Sequence, residues 1–214
     1  MLMNFIEFWN KLVFQPKKFF TEDFNDESSP FLFITIAIYG MSNIIDRIEK
    51  QFSKADFNGN LHEYEWMNSW LEYWLGVVIF GALSGYFFYY LGGWFYNVRI
   101  KWSDGTSDIK KAKFLFLYPE FVPSLIHFLT VVFFMMQSPV PYDPNADLKL
   151  IELVGLALLI IAVFYSVYIS YIGVTSTTDV SINKARLWFL TLPIIFYTLV
   201  YSSMIVFVFY SYYS

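Results

Sequence analysis

Five long apolar blocks dominate the pattern of hydrophobic and polar positions along the chain. A helix of roughly 20 apolar residues crosses about 30 Å of hydrocarbon, and each block is of about that length. The pattern therefore predicts an all-α integral membrane protein with five transmembrane helices, at about residues 28–46, 71–97, 114–137, 151–174 and 187–211. The first block is the shortest, so Asp46 and Arg47 must lie at its end or face protein.

A different pattern occupies the amino-terminal segment, residues 1–27. Apolar side chains recur there at helical spacing, at Leu2, Phe5, Ile6, Trp9, Leu12 and Val13. Pro16 ends this pattern, and Lys17 and Lys18 follow it. The segment predicts an amphipathic helix that lies in the membrane interface or packs against the protein's own loops. Residues 28–214 then form the five-helix transmembrane domain.

Composition supports lipid as the solvent of this chain. Of its 214 residues, 57% are hydrophobic and only 15% are charged, whereas soluble domains carry about 25% charged residues. The net charge of −4 gives no reason to expect a nucleic-acid partner. The absence of cysteine excludes disulfides and thiol catalysis. The two histidines fall on different predicted elements, so we predict no cofactor and no metal site. No base lies plausibly beside a serine, threonine or tyrosine, so we also predict no catalytic residues.

The distribution of Lys and Arg predicts the orientation in the membrane. The amino-terminal segment and the second and fourth loops together carry ten of these residues, whereas the segments on the other side carry four. Because short cytoplasmic loops are enriched in Lys and Arg, we expect the amino terminus in the cytoplasm and the carboxyl terminus outside.

The third block contains polar residues that a lipid-facing helix would not carry. The stretch YPEFVPSLIH begins at Tyr118, and its candidate functional face consists of Tyr118, Pro119, Glu120, Pro123, Ser124 and His127. Residues seven apart fall on nearly one line of a helix, so Glu120 and His127 should share a face. A carboxylate in hydrocarbon costs roughly 2.5–3.5 kcal/mol, so this face should point away from lipid.

Two interpretations of this face stay open. Glu120 and His127 could exchange protons or bind ions, since histidine titrates near neutrality. Alternatively, Glu120 could pair with Lys110, Lys111 or Lys113 near the cytoplasmic surface, and His127 could satisfy a carbonyl of a neighbouring helix. The two prolines each remove a backbone donor, so we expect the helix to be kinked or to start late.

Small residues in the second block indicate close helix packing. Gly81 and Gly85 are four residues apart, and Gly76 lies about one turn before Gly81. Such spacing lets helix backbones approach closely in lipid. The pattern fits packing within one chain or the face of a homo-oligomer.

The second loop, residues 97–113, is basic and contains the turn signal Asp104-Gly105. Its cations are Arg99, Lys101, Lys110, Lys111 and Lys113. They could serve only to set the orientation, or they could contact anionic lipid or an acidic surface of a partner.

The order of these features resembles the Yip family of Rab/Ypt-interacting membrane proteins. The resemblance rests on the amphipathic start FWNKLVFQPKKFF, five blocks, the third opening in FLYPEFVPSL, and the fourth running into YIGVTSTTDVSINKARLWFL. The short amino-terminal segment is similar to that of the compact prokaryotic members, which implies a prokaryotic cytoplasmic (inner) membrane.

The resemblance implies a non-enzymatic scaffold or adaptor that acts in membrane organisation or binds a membrane-protein partner. The alternative is a small transporter or channel for protons, ions or lipid, built around Glu120 and His127. Few charges lie within the blocks, which favours the scaffold. We expect the lipid bilayer as one partner, with a membrane protein or a second copy of the chain as another.

Overall fold

The computed structural model describes residues 4–24, 31–146 and 149–213, and the regular elements within these ranges are all helical. The helices are α1 (Phe5–Phe14), α2 (Pro16–Lys18), α3 (Leu32–Phe57), α4 (Trp70–Trp102), α5 (Ile109–Met135), α6 (Leu150–Thr177), α7 (Ile182–Arg186) and α8 (Leu192–Tyr213). Two π-helical turns, Phe19–Asp23 and Leu187–Thr191, and a 3₁₀ helix, Leu61–Met67, complete the described structure.

Four helical segments are long and apolar enough to cross a membrane. They are α4, α5, α6 and the continuous segment Ile182–Met204, which joins α7 to α8. The all-helical, multi-pass character predicted from the sequence is therefore confirmed, and the last four predicted spans correspond to these four candidate helices. The start of the first predicted span, residues 28–30, lies outside the described residues, and membrane crossing by α3 stays a prediction.

Helix α3 differs from the first predicted span in its length. It continues past Asp46 and Arg47 and ends at Phe57. Buried residues recur along this second half at helical spacing, at Ile45, Ile48, Phe52 and Ala55. The first three pack in one cluster with Tyr73 and Val77 of α4. The charged residues lie between them, and Lys50 pairs with Asp46 at 2.7 Å. The uncharged apolar block stops at Asp46. Apolar residues at helical spacing nevertheless continue beyond it, and they hold the rest of the helix against α4.

The amino-terminal segment folds back onto the bundle. The side chain of Asn4 caps α1 by accepting a hydrogen bond from the Glu7 amide at 2.8 Å. The ring of Trp9 stacks on Phe121 of α5, with 3.7 Å between centroids. Packing against the protein is therefore observed, although against helix α5 rather than against loops. Ile6 is exposed on the same helix, and the interfacial position of α1 stays a prediction; Leu2 lies outside the described residues.

The predicted loop 97–113 is wrong in its extent, because α4 runs to Trp102 and α5 starts at Ile109. The chain reverses at Asp104, which has a left-handed backbone with φ 63°, and Gly105 follows. Asp108 then caps α5 by accepting hydrogen bonds from the amides of Lys110 and Lys111. Local turn and capping chemistry thus shortens the loop to residues 103–108, and Arg99 and Lys101 belong to α4.

Helices α3 and α4 meet at three glycines. A methyl group on Gly40 would overlap the backbone of both Gly81 and Gly85, and one on Gly85 would overlap the carbonyl of Ile36. By contrast, nothing lies within 4 Å of the corresponding position on Gly76. Gly81 and Gly85 therefore serve packing within one chain, whereas Gly76 has no close neighbour among the described residues.

These glycines provide a matched pair of substitutions. We expect Gly85→Ala to destabilise the protein by about 1–3 kcal/mol, because the added methyl group forces α3 and α4 apart. Gly76→Ala should be neutral or stabilising by up to about 1 kcal/mol, because alanine is the better helix former. The measurement is the unfolding midpoint in mild detergent titrated with dodecyl sulfate. Equal midpoints for the two variants would contradict the α3–α4 contact.

Candidate functional site

Helix α5 carries the predicted face without interruption. Pro119 and Pro123 both lie inside the helix, which begins ten residues before the first of them, so a late start is not observed. The hydroxyl of Ser124 donates to the carbonyl of Glu120 at 2.7 Å. A buried helix tolerates prolines at membrane depth where neighbouring helices and Ser or Thr side chains satisfy the backbone.

The first residue of the face, Tyr118, belongs to the core rather than to a cavity. Its side chain is 1% exposed. Its ring contacts those of Phe8 and Phe19, with centroids 5.3 and 6.1 Å away. Tyr118 therefore anchors the amino-terminal segment on α5.

Glu120 lines a cavity of about 200 Å³ between α4, α5, α6 and α8. Among the other lining residues are Tyr96, Arg99, Ser170, Phe189 and Tyr197. The Tyr96 and Ser170 hydroxyls are hydrogen-bonded at 2.9 Å. The cavity thus combines one acid, one base and several hydroxyl groups within aromatic walls.

The backbone before α8 explains why Arg99 lies here. The Leu192 amide donates to the Leu187 carbonyl across the π-helical turn. The Trp188 carbonyl would take the next amide in that pattern, but the residue there is Pro193, which has no N–H. The Arg99 guanidinium donates to the Trp188 carbonyl instead. Arg99 is consequently 8% exposed, and its guanidinium lies 4.2 Å from the centroid of the Phe189 ring.

The directions of the two helices bring Arg99 and Glu120 to the same cavity. In an α-helix the Cα–Cβ bond tilts towards the helix amino terminus. Helices α4 and α5 are consecutive and antiparallel, so the Arg99 side chain leans inwards from the end of α4, and the Glu120 side chain leans back towards it. In the part of the chain that the structure describes, no direct ion pair joins the two groups.

His127 occupies a different environment from Glu120. Its Nδ1 lies 3.0 Å from the Ser42 hydroxyl, and its Nε2 lies 3.7 Å from a carboxylate oxygen of Glu49. It lines a second cavity, of about 410 Å³, between α3, α5, α6 and the loop that precedes α6. The two cavities have no lining residue in common. The structure therefore places Glu120 and His127 at separate sites on one helix.

Comparison with known proteins places the fold in a family. The model of the Yip1 domain family matches residues 10–205, which include Arg99, Glu120 and His127. The chain belongs to the Yip1 family. No curated protein and no solved structure matches the chain. The family resemblance predicted from the sequence is thus confirmed, and the Yip1 match covers both cavities and all four candidate spans.

The basic residues of this Yip1-family chain divide between the surface and the bundle. Lys101 and Lys110 are exposed. The Lys111 ammonium donates to the Thr177 carbonyl at 3.2 Å, and the Lys113 ammonium lies 3.8 Å from the centroid of the Tyr90 ring. Arg99, which the sequence assigned to a cytoplasm-facing loop, is buried. It is therefore the cation that lines the Glu120 cavity.

Outside the Glu120 cavity, polar contacts tie each end of the Yip1 fold together. The Lys11 ammonium donates to Asp23 at 3.1 Å, and this hydrogen bond raises the pKa of Lys11. At the other end, burial and the hydrogen bond to Asp56 raise the pKa of Tyr142 to about 12. Lys11 should therefore stay charged and Tyr142 neutral at physiological pH.

Sequence reasoning missed Tyr96 and Tyr197, which line the Glu120 cavity, and Trp188, whose carbonyl accepts from Arg99. One signal for them exists in the sequence. Pro193 lies inside an apolar block, so a carbonyl one turn earlier needs a donor from elsewhere. That donor is Arg99. The sequence could not identify it, because it did not show that α4 continues past Arg99 to Trp102.

Arg99 and Lys101 provide the test of this arrangement. We expect Arg99→Gln to lower the free energy of unfolding by about 1–3 kcal/mol, because the buried Trp188 carbonyl loses its charged donor. Lys101→Gln, two residues away on the exposed surface, should change it by less than about 0.5 kcal/mol. The measurement is the same detergent titration. An Arg99→Gln variant as stable as Lys101→Gln would refute the role of the guanidinium.

Proposed function

We propose that this Yip1-family protein is a non-enzymatic membrane scaffold or adaptor. In this proposal it acts in membrane organisation or as the partner-binding subunit of a membrane assembly. Five helices cross a prokaryotic cytoplasmic membrane, α3 being the first, and the amino-terminal segment lies at the cytoplasmic face.

The observation that carries the proposal is the docked amino-terminal segment. Phe8, Trp9 and Leu12 of α1 are buried in the same core cluster as Phe121 of α5. The opposite side of α1 is exposed and mixed in character, with Glu7 and Asn10 beside the apolar side chains of Ile6 and Phe14. Tertiary packing therefore holds one face of a short helix at a fixed position and leaves the other free to contact a partner. A fixed surface costs less conformational entropy on binding than a flexible tail.

The loops beside this segment form a connected charged surface. The Lys184 ammonium pairs with Asp104 at 2.7 Å, which joins the loop before α5 to the start of α7. The Ser181 amide donates to the Ser103 carbonyl at 2.8 Å between the same two loops. Exposed cations at this end include Lys17, Lys18, Lys101, Lys110, Lys184 and Arg186. Their number supports a cytoplasmic position for this end.

The alternative function, a transporter or channel based on Glu120 and His127, receives less support. A conduction path along this face would have to connect both residues. Their cavities share no lining residue, and the α5 segment between them contains the buried Pro123 and Ser124. The separation favours a structural role for the α5 face.

The absence of native cysteine makes the topology directly measurable. We expect Asn58→Cys and Asn145→Cys to react with a membrane-impermeant maleimide on intact cells. Asn10→Cys and Thr106→Cys should react only after permeabilisation. If α3 crosses the membrane, these two positions lie on the cytoplasmic side, whereas Asn58 and Asn145 lie on the outer side. Asn58→Cys and Asn10→Cys reacting under the same condition would mean that α3 does not cross.

Site-specific photo-crosslinking tests the scaffold. We expect a photoreactive residue at the exposed Asn10 position to give a discrete protein adduct in cells at native expression, because that face of α1 is free. The same residue at exposed Asn58, at the other end of the bundle, is the matched control for non-specific collision. Glu120→Gln should leave the Asn10 adduct unchanged.

Purified protein in liposomes supplies the opposing outcome. The scaffold predicts proton and ion flux no faster than in protein-free vesicles. Flux that Glu120→Gln abolishes, together with no adduct at Asn10, would replace the scaffold with the transporter.

A further inference from the structure

The polar cavity between α4, α5, α6 and α8 has a use beyond scaffolding. We propose that it binds a small zwitterion, whose anionic group contacts Arg99 and whose primary ammonium contacts Glu120. The chemical class is that of a phosphoethanolamine group. This inference goes beyond the proposed function and does not depend on it.

Two opposite charges line this cavity without pairing directly. Arg99 is held at one side by its hydrogen bond to the Trp188 carbonyl and by the Phe189 ring. Glu120 lies on α5 across the cavity. Opposite charges attract strongly where water is scarce, so each gains from a partner of the other sign. A ligand with one group of each sign satisfies both at once, whereas a simple anion or cation satisfies one.

The chemistry of each side group fits the corresponding half of the ligand. A guanidinium presents several N–H donors in a planar fork that matches the oxygens of a phosphate. The Trp188 carbonyl uses only part of this donor set. A carboxylate accepts hydrogen bonds from a primary ammonium, which carries three donors. The Tyr96 and Ser170 hydroxyls, joined at 2.9 Å, lie in the same wall and can donate or accept.

The cavity volume agrees with a group of this size. About 200 Å³ is more than ten times the roughly 10–15 Å³ that one water molecule requires. That space is sufficient for a phosphate and an ethanolamine group. Ser166 and Val167 of α6 also line the cavity.

The location of the cavity indicates a lipid headgroup as the natural source. Arg99 lies one turn before the end of α4, close to the level where a headgroup would be. Phe95, at the rim, is exposed on the lipid-facing surface of α4. On the α8 side, Pro193 and Tyr197 complete the rim, and the Ile182–Met204 segment is largely exposed. A headgroup can therefore enter sideways between α4 and α8. A free zwitterion from solution is the other source of the same chemistry.

The test is native mass spectrometry of the full-length protein from nanodiscs that contain phosphatidylethanolamine and phosphatidylglycerol in equal amounts. We expect the ethanolamine lipid to be retained about tenfold over the glycerol lipid, which corresponds to about 1.4 kcal/mol. A parallel arm adds free phosphoethanolamine to protein in nanodiscs without the ethanolamine lipid. Binding of the free compound with no lipid preference would assign the solution source.

Variants connect the preference to the cavity. Glu120→Gln keeps the shape of the side chain and removes its charge, so the tenfold preference should fall to about one. His127→Gln, on the same helix but in the other cavity, should leave the preference unchanged. Wild-type protein that retains both lipids equally and does not bind free phosphoethanolamine overturns the proposal. So does a preference that persists in Glu120→Gln. The lipid preference of the wild-type protein can overturn the proposal without any variant. The proposal therefore stays testable even if Glu120→Gln fails to fold.

Discussion

A helix in hydrocarbon has no water to complete its backbone hydrogen bonds, so each interruption must be satisfied by protein. This chain has such an interruption at the start of its last helix, where a π-helical turn runs into Pro193 and leaves the Trp188 carbonyl without an amide. Arg99 supplies the donor from α4. The requirement for that one hydrogen bond accounts for a buried arginine, and the buried arginine in turn gives the cavity its positive charge.

Close packing in the bundle rests on glycines, which face either one another or a large side chain. Gly40, Gly81 and Gly85 bring α3 and α4 into backbone contact, while Gly92 and Gly93 of α4 accept Phe116 and Lys113 of α5. Apolar side chains gain nothing by leaving lipid for a protein surface that is equally apolar, so shape complementarity drives this association. An aromatic content of 23% suits that requirement, because large flat rings fill the space that glycine opens.

The all-helical class and the four long apolar helices could be predicted from the sequence, because block length and apolarity are local properties. It also indicated Gly81 and Gly85 as packing residues and the turn at Asp104-Gly105. It could not place the end of α4, since a helix can continue through charged residues when one side chain, that of Arg99, enters a cavity and another, that of Lys101, reaches solvent. Helical spacing put Glu120 and His127 on one line, but it could not reveal that different neighbours surround each. Ser42 and Glu49, which contact His127, are far from it in sequence.

Tyr118 and Glu120 are close neighbours on α5 that contact different parts of the structure. Tyr118 lies beneath α1 and packs on Phe8, whereas Glu120 lines the cavity that Arg99 shares. The two residues are adjacent on α5 apart from Pro119, and proline fixes its own φ, so the segment between them has little freedom to absorb strain. A displacement of α5 that moves Glu120 towards Arg99 must also move the ring on which α1 rests. The docked amino-terminal surface and the charged cavity therefore rest on neighbouring positions of one short segment of α5, although different side chains build each of them.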